Sequence, residues 1–247
     1  MIEISEKEGV AFMGLIDPTK HSDKTLSYAK AFAQGGADFI VIGGSLGADG
    51  EVVNNLARTI KEKYSVPVIL FPGNVSGVSS EADALYFMSL MNSRNPYWIT
   101  GAQALGAFYV QKAGIETIPT SLLIIEPGET VGWVGDAKPI PAHKPEIAAA
   151  YALAGKFLGH RITILERGSG APGPATPEMF RMVKSVGTTV ISAGSCRDLN
   201  DLKSVILSGA DGVHIASMIE SATNPLEKAK RVIRFAKSVG KKKVSSR

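Results

Sequence analysis

Eight short apolar runs, separated by stretches of helical periodicity, constrain what this 247-residue chain can fold into more than any other feature. The runs occupy residues 10–16, 38–42, 67–71, 84–90, 117–125, 161–165, 188–192 and 212–215. Helical patterns over 22–33, 52–64, 99–113, 145–158, 177–186, 198–207 and 225–239 follow most of them. A strand buried on both faces reads as a continuous apolar run, and parallel strands need a crossover, usually a helix. Eight such units close a parallel barrel, and the length is that of one (β/α)8 domain. The chain is therefore expected to be α/β, a single TIM-barrel domain over residues 1–247. Punctuation agrees with this. Pro145, Pro177 and Pro225 suit first helical turns, where no N–H is needed. Ser22 suits the N-cap of the first crossover helix. Gly-Ala-Asp at 36–38 and again at 209–211 reads as a short turn from helix into strand.

One unit breaks the rhythm. Residues 72–83, Pro-Gly-Asn-Val-Ser-Gly-Val-Ser-Ser-Glu-Ala-Asp, are too few and too rich in Gly and Ser for a regular helix. Helix 3 of the barrel should be missing or reduced to a turn. The gap would lie beside the apolar stretch 84–91, where it opens a groove in the barrel wall or is covered by the loop. The longest irregular stretch, 126–144, follows the fifth strand on the face where barrel enzymes carry their sites. Long βα loops there are usually lids or binding loops.

Composition narrows the function. Net charge is +4, and Lys241-Lys242-Lys243 near the C-terminus supply most of the excess, so the body is close to neutral and offers no nucleic-acid face. That tail reads as a solvated end or a weak attraction to anionic headgroups. The single cysteine, Cys196, leaves no intramolecular disulfide and no cysteine zinc site, and reads as a structural thiol. No signal-like segment opens the sequence and no run approaches a membrane span, so a cytoplasmic location is expected. His21, His143, His160 and His214 show no ligand spacing; His214 alternates with core positions and faces either the barrel interior or the helix layer. Neither a Walker loop nor a dinucleotide fingerprint is present.

The residues that carry chemistry stand at strand ends. Asp17 ends the first run, at the barrel mouth, and Pro18 holds it extended. Aspartate is a hard ligand of the kind Mg²⁺ takes, the rest of the shell being water and phosphate oxygens. Ser45 ends the second run in Gly43-Gly44-Ser45 and is placed to join the same cation. Ile164-Leu165-Glu166-Arg167-Gly168-Ser169-Gly170 ends the sixth run, Gly194-Ser195 the seventh and Ala216-Ser217 the eighth. Small residues let backbone N–H groups approach an anion closely, and phosphate sites recur after the last strands of such barrels. Glu166 is suited to accept hydrogen bonds from substrate hydroxyls or to act as a general base, with Arg167 either pairing with it or pointing outward.

These blocks resemble the geranylgeranylglyceryl phosphate synthase family of archaeal type. The resemblance rests on Leu15-Ile-Asp-Pro18, Gly43-Gly-Ser45, Leu70-Phe-Pro-Gly-Asn74, Asn95-Pro-Tyr-Trp98, Gly101-Ala-Gln-Ala-Leu-Gly106, Glu126-Pro-Gly-Glu-Thr-Val-Gly-Trp-Val-Gly-Asp-Ala-Lys-Pro-Ile-Pro141 and Gly168-Ser-Gly-Ala-Pro172. It implies a modified TIM barrel and a Mg²⁺-dependent prenyltransferase joining sn-glycerol 1-phosphate to geranylgeranyl diphosphate, the first ether step of archaeal membrane lipids. By position it implies Asp17 and Ser45 at Mg²⁺ and the diphosphate, and Glu166 at the glycerol hydroxyls. Gly168, Ser169, Gly170, Gly194, Ser195, Ala216 and Ser217 would form the phosphate pocket. It also implies a dimer or hexamer, with at most peripheral contact with a membrane.

The chain departs from the family pattern where a tyrosine is usual and Ile164 or Leu122 stands. It departs again where glycine-rich turns after strands 7 and 8 read Ala193-Gly194-Ser195-Cys196-Arg197 and Ile215-Ala216-Ser217. A longer polyprenyl donor, an isomerase acting on a sugar phosphate, and a phosphate- or lipid-binding barrel without turnover are the competing readings.

Overall fold

The structure, a computed structural model, describes residues 1–20, 23–44 and 46–245. A helix α1 (Ile2–Glu8) leads into β1 (Ala11–Ile16). Then follow α2 (Thr25–Gly35), β2 (Phe39–Gly44), α3 (Gly50–Lys63), β3 (Val68–Pro72), β4 (Ala84–Leu90), α4 (Ala102–Ala113) and β5 (Glu116–Ile124). The second half adds α5 (Glu129–Val134), α6 (Pro145–Phe157), β6 (Ile162–Glu166), α7 (Pro177–Ser185), β7 (Thr189–Ala193), α8 (Leu199–Leu207), β8 (Gly212–Ile215), α9 (Ser217–Glu220) and α10 (Pro225–Ser245). The eight strands form one closed barrel in sequence order, each parallel to its neighbours. The expected α/β barrel is the observed fold. The expected N-cap at Ser22 lies outside the described residues, and α2 begins at Thr25.

Strand parity sorts the side chains into two layers. Met13, Val41, Ile69, Tyr86, Leu122, Ile164 and Ile191 fill the barrel interior. Their sequence neighbours Phe12, Ile40, Leu70, Leu85, Leu123, Leu165 and Val190 pack outward against the helices. Both layers are apolar because parallel strands here are covered on both faces. His214 falls in the interior layer: its Nε2 lies 3.1 Å from the Tyr86 hydroxyl, and its ring packs edgewise on Phe71. Burial lowers its pKa to about 3, so it is neutral there. Cys196 is buried with its thiol pushed up to about 12, as a structural thiol should be.

The repeated Gly-Ala-Asp turns have a shared purpose at the barrel floor. Asp38 Oδ2 accepts from Phe12 N–H at 2.6 Å, and Asp211 Oδ2 from Val190 N–H at 3.0 Å. Each carboxylate thus completes the ladder of the neighbouring strand, and each holds a lysine, Lys237 or Lys184.

The C-terminal lysines depart from expectation. They are not a frayed end: α10 continues through Lys241-Lys242-Lys243 to Ser245. Lys243 is buried and donates to Ala210 O at 2.7 Å and Gly9 O at 3.1 Å, with Asp211 at 3.6 Å. The tail docks because its lysine finds orphan carbonyls and a carboxylate at the floor, where a polylysine read as sequence shows only charge.

Between β3 and β4 the crossover helix is missing, as the Gly/Ser-rich segment predicts; only a one-turn 3₁₀ helix, Val75–Gly77, remains. β4 pairs with β5 along its whole length, yet with β3 only through Ile69↔Ala84 and Leu70↔Leu85. Phe71 and Pro72 pair with β2 instead. The β3–β4 seam therefore opens above Leu70 and Leu85, on the side of the barrel mouth.

Candidate active site

Glu166 occupies the last position of β6, with the same parity as interior Ile162 and Ile164, so its carboxylate faces the barrel mouth. Oε1 accepts from Gly168 N–H at 2.6 Å. Gly168 and Gly194 both have positive φ, 91° and 68°, conformations that disfavour a side chain. A Cβ on Gly194 would overlap Glu166 Oε1, and one on Gly168 would overlap Glu129 at the start of α5, in the segment after β5. Both glycines are thus needed for close approach. The carboxylate is 6% exposed. Burial raises its pKa from 4.5 to about 7 against the opposing pull of the Gly168 and Arg167 backbone N–H groups.

That shift has a consequence for stability. Between pH 4.5 and about 7 the folded chain binds more of this proton than the unfolded chain does, so the contribution is full below pH 4.5 and lost as pH rises through 7. Glu166→Gln should therefore stabilise the ligand-free protein at pH 8 by an amount on the order of 3 kcal/mol and change little at pH 4. Urea unfolding at the two pH values checks this; equal differences at both would refute it.

Asp17 lies one residue beyond β1 with the parity of interior Met13 and Leu15, half-buried at the mouth. Its Oδ1 accepts from Thr19 N–H at 3.0 Å and from the Thr19 hydroxyl at 2.7 Å, which fixes the carboxylate in a tight turn. Gly44, at the end of β2, abuts it: a Cβ there would lie 2.9 Å from Oδ1. Among the described residues there is no cluster of three metal-ligating side chains. A single carboxylate is the kind of ligand Mg²⁺ takes, since that ion keeps water and phosphate oxygens for the rest of its shell. Ser45 lies outside the described residues.

The turns after β6, β7 and β8 meet around the same mouth. Ser169 and Gly170 are exposed, and a side chain at Gly170 would enter open space. Ser195 takes φ 68°, uncommon for a non-glycine residue, and its hydroxyl is buried without a hydrogen-bond partner. A buried hydroxyl among small residues is able to donate to a ligand at the mouth. Ala216 caps α9, a short helix the sequence reading lacks, and Ser217 opens it. A short extra helix after strand 8 is a usual part of barrel phosphate sites.

Three other predicted site residues do different things. Leu165 points away from the mouth into the outer core. Ile164 is fully buried in the interior layer, beside Leu122 and Ile191 and one step below Glu166. Arg167 does not pair with Glu166: its Nε donates to Glu126 O at 2.6 Å, and its Nη1 to Gly173 O at 2.5 Å and Pro174 O at 3.1 Å. It ties the loop after β5 to the loop after β6, and Gly128 N–H returns a bond to Arg167 O at 3.2 Å. Its role is to position the Glu166–Gly168 turn.

An apolar cavity opens through the β3–β4 seam. It is a cleft of about 920 Å³, counting the space open to solvent, lined from Gly44, beside Asp17, by Phe71, Tyr86 and Met88, by Val75 of the 3₁₀ turn and by Gly106 of α4. Its wall includes groups the sequence reading did not assign to a site. Val131 and Val134 reach it from the long loop after β5, and Trp98 from a π-helical turn, Tyr97–Gly101. Gln103 Nε2 holds that turn through the carbonyls of Trp98 and Met88. The Asn95-Pro-Tyr-Trp98 block was a signal for this; its inward-pointing tryptophan was not visible without the fold.

A parallel eight-stranded barrel with its polar groups gathered at the C-terminal strand ends belongs to the TIM-barrel class. Within that class the chain belongs to the PcrB family, which it matches over residues 2–237. It is 53% identical over 229 residues to the geranylgeranylglyceryl phosphate synthase of Pyrococcus horikoshii, covering 92% of this chain and 90% of that one. Among solved structures it resembles (S)-3-O-geranylgeranylglyceryl phosphate synthase from Thermoplasma acidophilum in complex with sn-glycerol-1-phosphate. The TM-score is 0.90, identity is 33%, and 96% of this chain and 97% of that one are covered. The corresponding enzyme from Thermoplasma volcanium gives a TM-score of 0.87 at 37% identity, covering 92% of each chain.

Proposed function

We propose that this protein is a prenyltransferase that joins sn-glycerol 1-phosphate to geranylgeranyl diphosphate, forming an ether and releasing diphosphate. The observation that carries this reading is the junction at Gly44, where an apolar slot through the barrel wall meets the Asp17 carboxylate in the mouth that also holds Glu166 and the small-residue turns. A sugar-phosphate isomerase has no use for such a slot.

The residues divide the work as follows. The slot takes the isoprenoid tail, which buries apolar surface at roughly 25 cal/mol per Å². Asp17, with Ser45, would hold Mg²⁺ beside the diphosphate. When bound, that ion neutralises the charge developing on the leaving group. The turns at 168–170, 194–195 and 216–217 receive the glycerol phosphate, with the Ser195 hydroxyl finding its missing partner there. Glu166 orients the C3 hydroxyl and accepts its proton as the oxygen bonds the allylic carbon. The carbon–oxygen bond to diphosphate breaks, and its electron pair leaves with the diphosphate.

No helix among the described residues is long and apolar enough to cross a membrane. The reading is of a cytoplasmic enzyme that meets its lipid donor at a membrane surface. Exposed Leu105 and Phe108 on α4, Trp133 on α5 and Phe157 on α6 support association into a homo-oligomer.

Purified protein given sn-glycerol 1-phosphate, radiolabelled geranylgeranyl diphosphate and Mg²⁺ should yield a butanol-extractable phosphorylated ether. Chelator or Asp17→Ala should remove it. Turnover that survives both would contradict the metal assignment; no product from the wild type would contradict the reading.

A further inference from the structure

The mouth must hold two anions at once, and one cation reaches across it. The turn after β1 is fixed by three contacts: Asp17 Oδ1 with Thr19 N–H and Oγ1, and Lys20 N–H with Asp17 O at 3.2 Å. From that turn the Lys20 side chain extends to the turn after β6, where its Nζ lies 3.4 Å from Ser169 Oγ. In the closed barrel β6, β7, β8 and β1 are consecutive. A side chain joining the end of β1 to the end of β6 therefore spans the strand ends that carry Gly194-Ser195 and Ala216-Ser217.

Among the described residues, the two guanidinium groups beside these turns have protein partners. The Arg167 guanidinium holds the carbonyls of Glu126, Gly173 and Pro174, and Arg197 pairs with Asp201 at 3.3 Å. Among the described residues, no other ammonium or guanidinium hydrogen-bonds to a side chain of the small-residue turns. The 3.4 Å contact to a neutral hydroxyl is long and leaves the ammonium able to turn to a stronger acceptor. A phosphate monoester is about doubly charged near neutral pH, and the diphosphate in the same mouth repels it. Backbone N–H groups alone carry only partial charge.

We infer that Lys20 is a substrate-binding residue whose ammonium closes over the phosphate of the glycerol phosphate acceptor, exchanging its contact with Ser169 for phosphate oxygens. This deepens the proposed function and rests on it for the identity of the acceptor; the phosphate contact itself is testable without turnover.

The experiment compares wild type, Lys20→Met and Lys20→Arg. At saturating geranylgeranyl diphosphate, Lys20→Met should raise KM for sn-glycerol 1-phosphate by about tenfold or more. KM for the prenyl donor should stay within about twofold, and Lys20→Arg should restore most of the loss. Added salt should weaken acceptor binding more in wild type than in Lys20→Met, because the screened charge is gone from the variant. An unchanged acceptor KM, or a shift falling on the donor instead, would overturn the inference. Calorimetric titration with sn-glycerol 1-phosphate and with inorganic phosphate, without donor, separates the two readings. Binding that weakens in Lys20→Met while the wild type makes no ether would sustain the Lys20 contact and remove the prenyl transfer. Equal binding by wild type and Lys20→Met, or none by either, would overturn the contact.

Discussion

Glu166→Gln is expected to lower kcat by about 10²- to 10⁴-fold, the range that a positioned general base contributes. KM for geranylgeranyl diphosphate should change by less than about threefold, because the slot and Asp17 hold the donor independently of Glu166. The pH profile gives the finer test. Burial holds the carboxyl of the free enzyme at a pKa of about 7, so wild-type kcat/KM for sn-glycerol 1-phosphate should rise tenfold per pH unit below that value and level off above it. The variant should be flat. A variant with near-wild-type turnover would remove Glu166 from proton transfer, because the amide oxygen still accepts a hydrogen bond from the hydroxyl. A flat wild-type profile would leave it an orienter only. The same group stabilises the folded chain at low pH and strains it at high pH, so the residue that serves chemistry should cost stability under working conditions.

Gly106→Phe is expected to separate donors by length. Gly106 lies on α4 in the wall of the slot, where a Cβ would sit 3.5 Å from Val75 Cγ1. A methyl therefore fits, whereas a phenyl ring projects into the passage. Phenylalanine also forms helix better than glycine, which offsets part of the packing cost. Turnover of geranylgeranyl diphosphate, read as kcat/KM, should fall by about 100-fold, while that of geranyl diphosphate, whose tail ends nearer Gly44, should change by less than about threefold. Equal losses for both donors would mean that the ring disturbs the mouth. No loss for either would mean that the tail takes another route.

Most of the fold was written in local patterns. β4 and β8 begin and end where their apolar runs do, and β6 ends one residue later, on Glu166. The absent crossover helix was equally legible, because residues 72–83 offer Gly and Ser where a helix needs periodic apolar residues. The site was legible where a charged residue breaks an apolar run, as at Asp17 and Glu166. Parity within a run was not: residues 162–165 are Ile-Thr-Ile-Leu, and nothing in that run alone says that Ile164 faces inward and Leu165 outward.

What the sequence hid depends on partners distant in the chain. Arg167 looks like a companion for Glu166 until its guanidinium is found on three backbone carbonyls of neighbouring loops. The slot exists because β3 and β4 pair through two registers only, a property of neither strand alone. Lys243 carries an ordinary surface charge in sequence and becomes an anchor only when α10 crosses Gly9 and Ala210.

The most direct measurement is a crystal structure with sn-glycerol 1-phosphate, Mg²⁺ and a non-reactive thio analogue of geranylgeranyl diphosphate. The account predicts the diphosphate beside Asp17, the tail passing Phe71 and Met88 out through the β3–β4 seam, and the C3 hydroxyl within hydrogen-bond reach of Glu166. A tail lying outside the seam, or a glycerol hydroxyl turned away from Glu166, would contradict it.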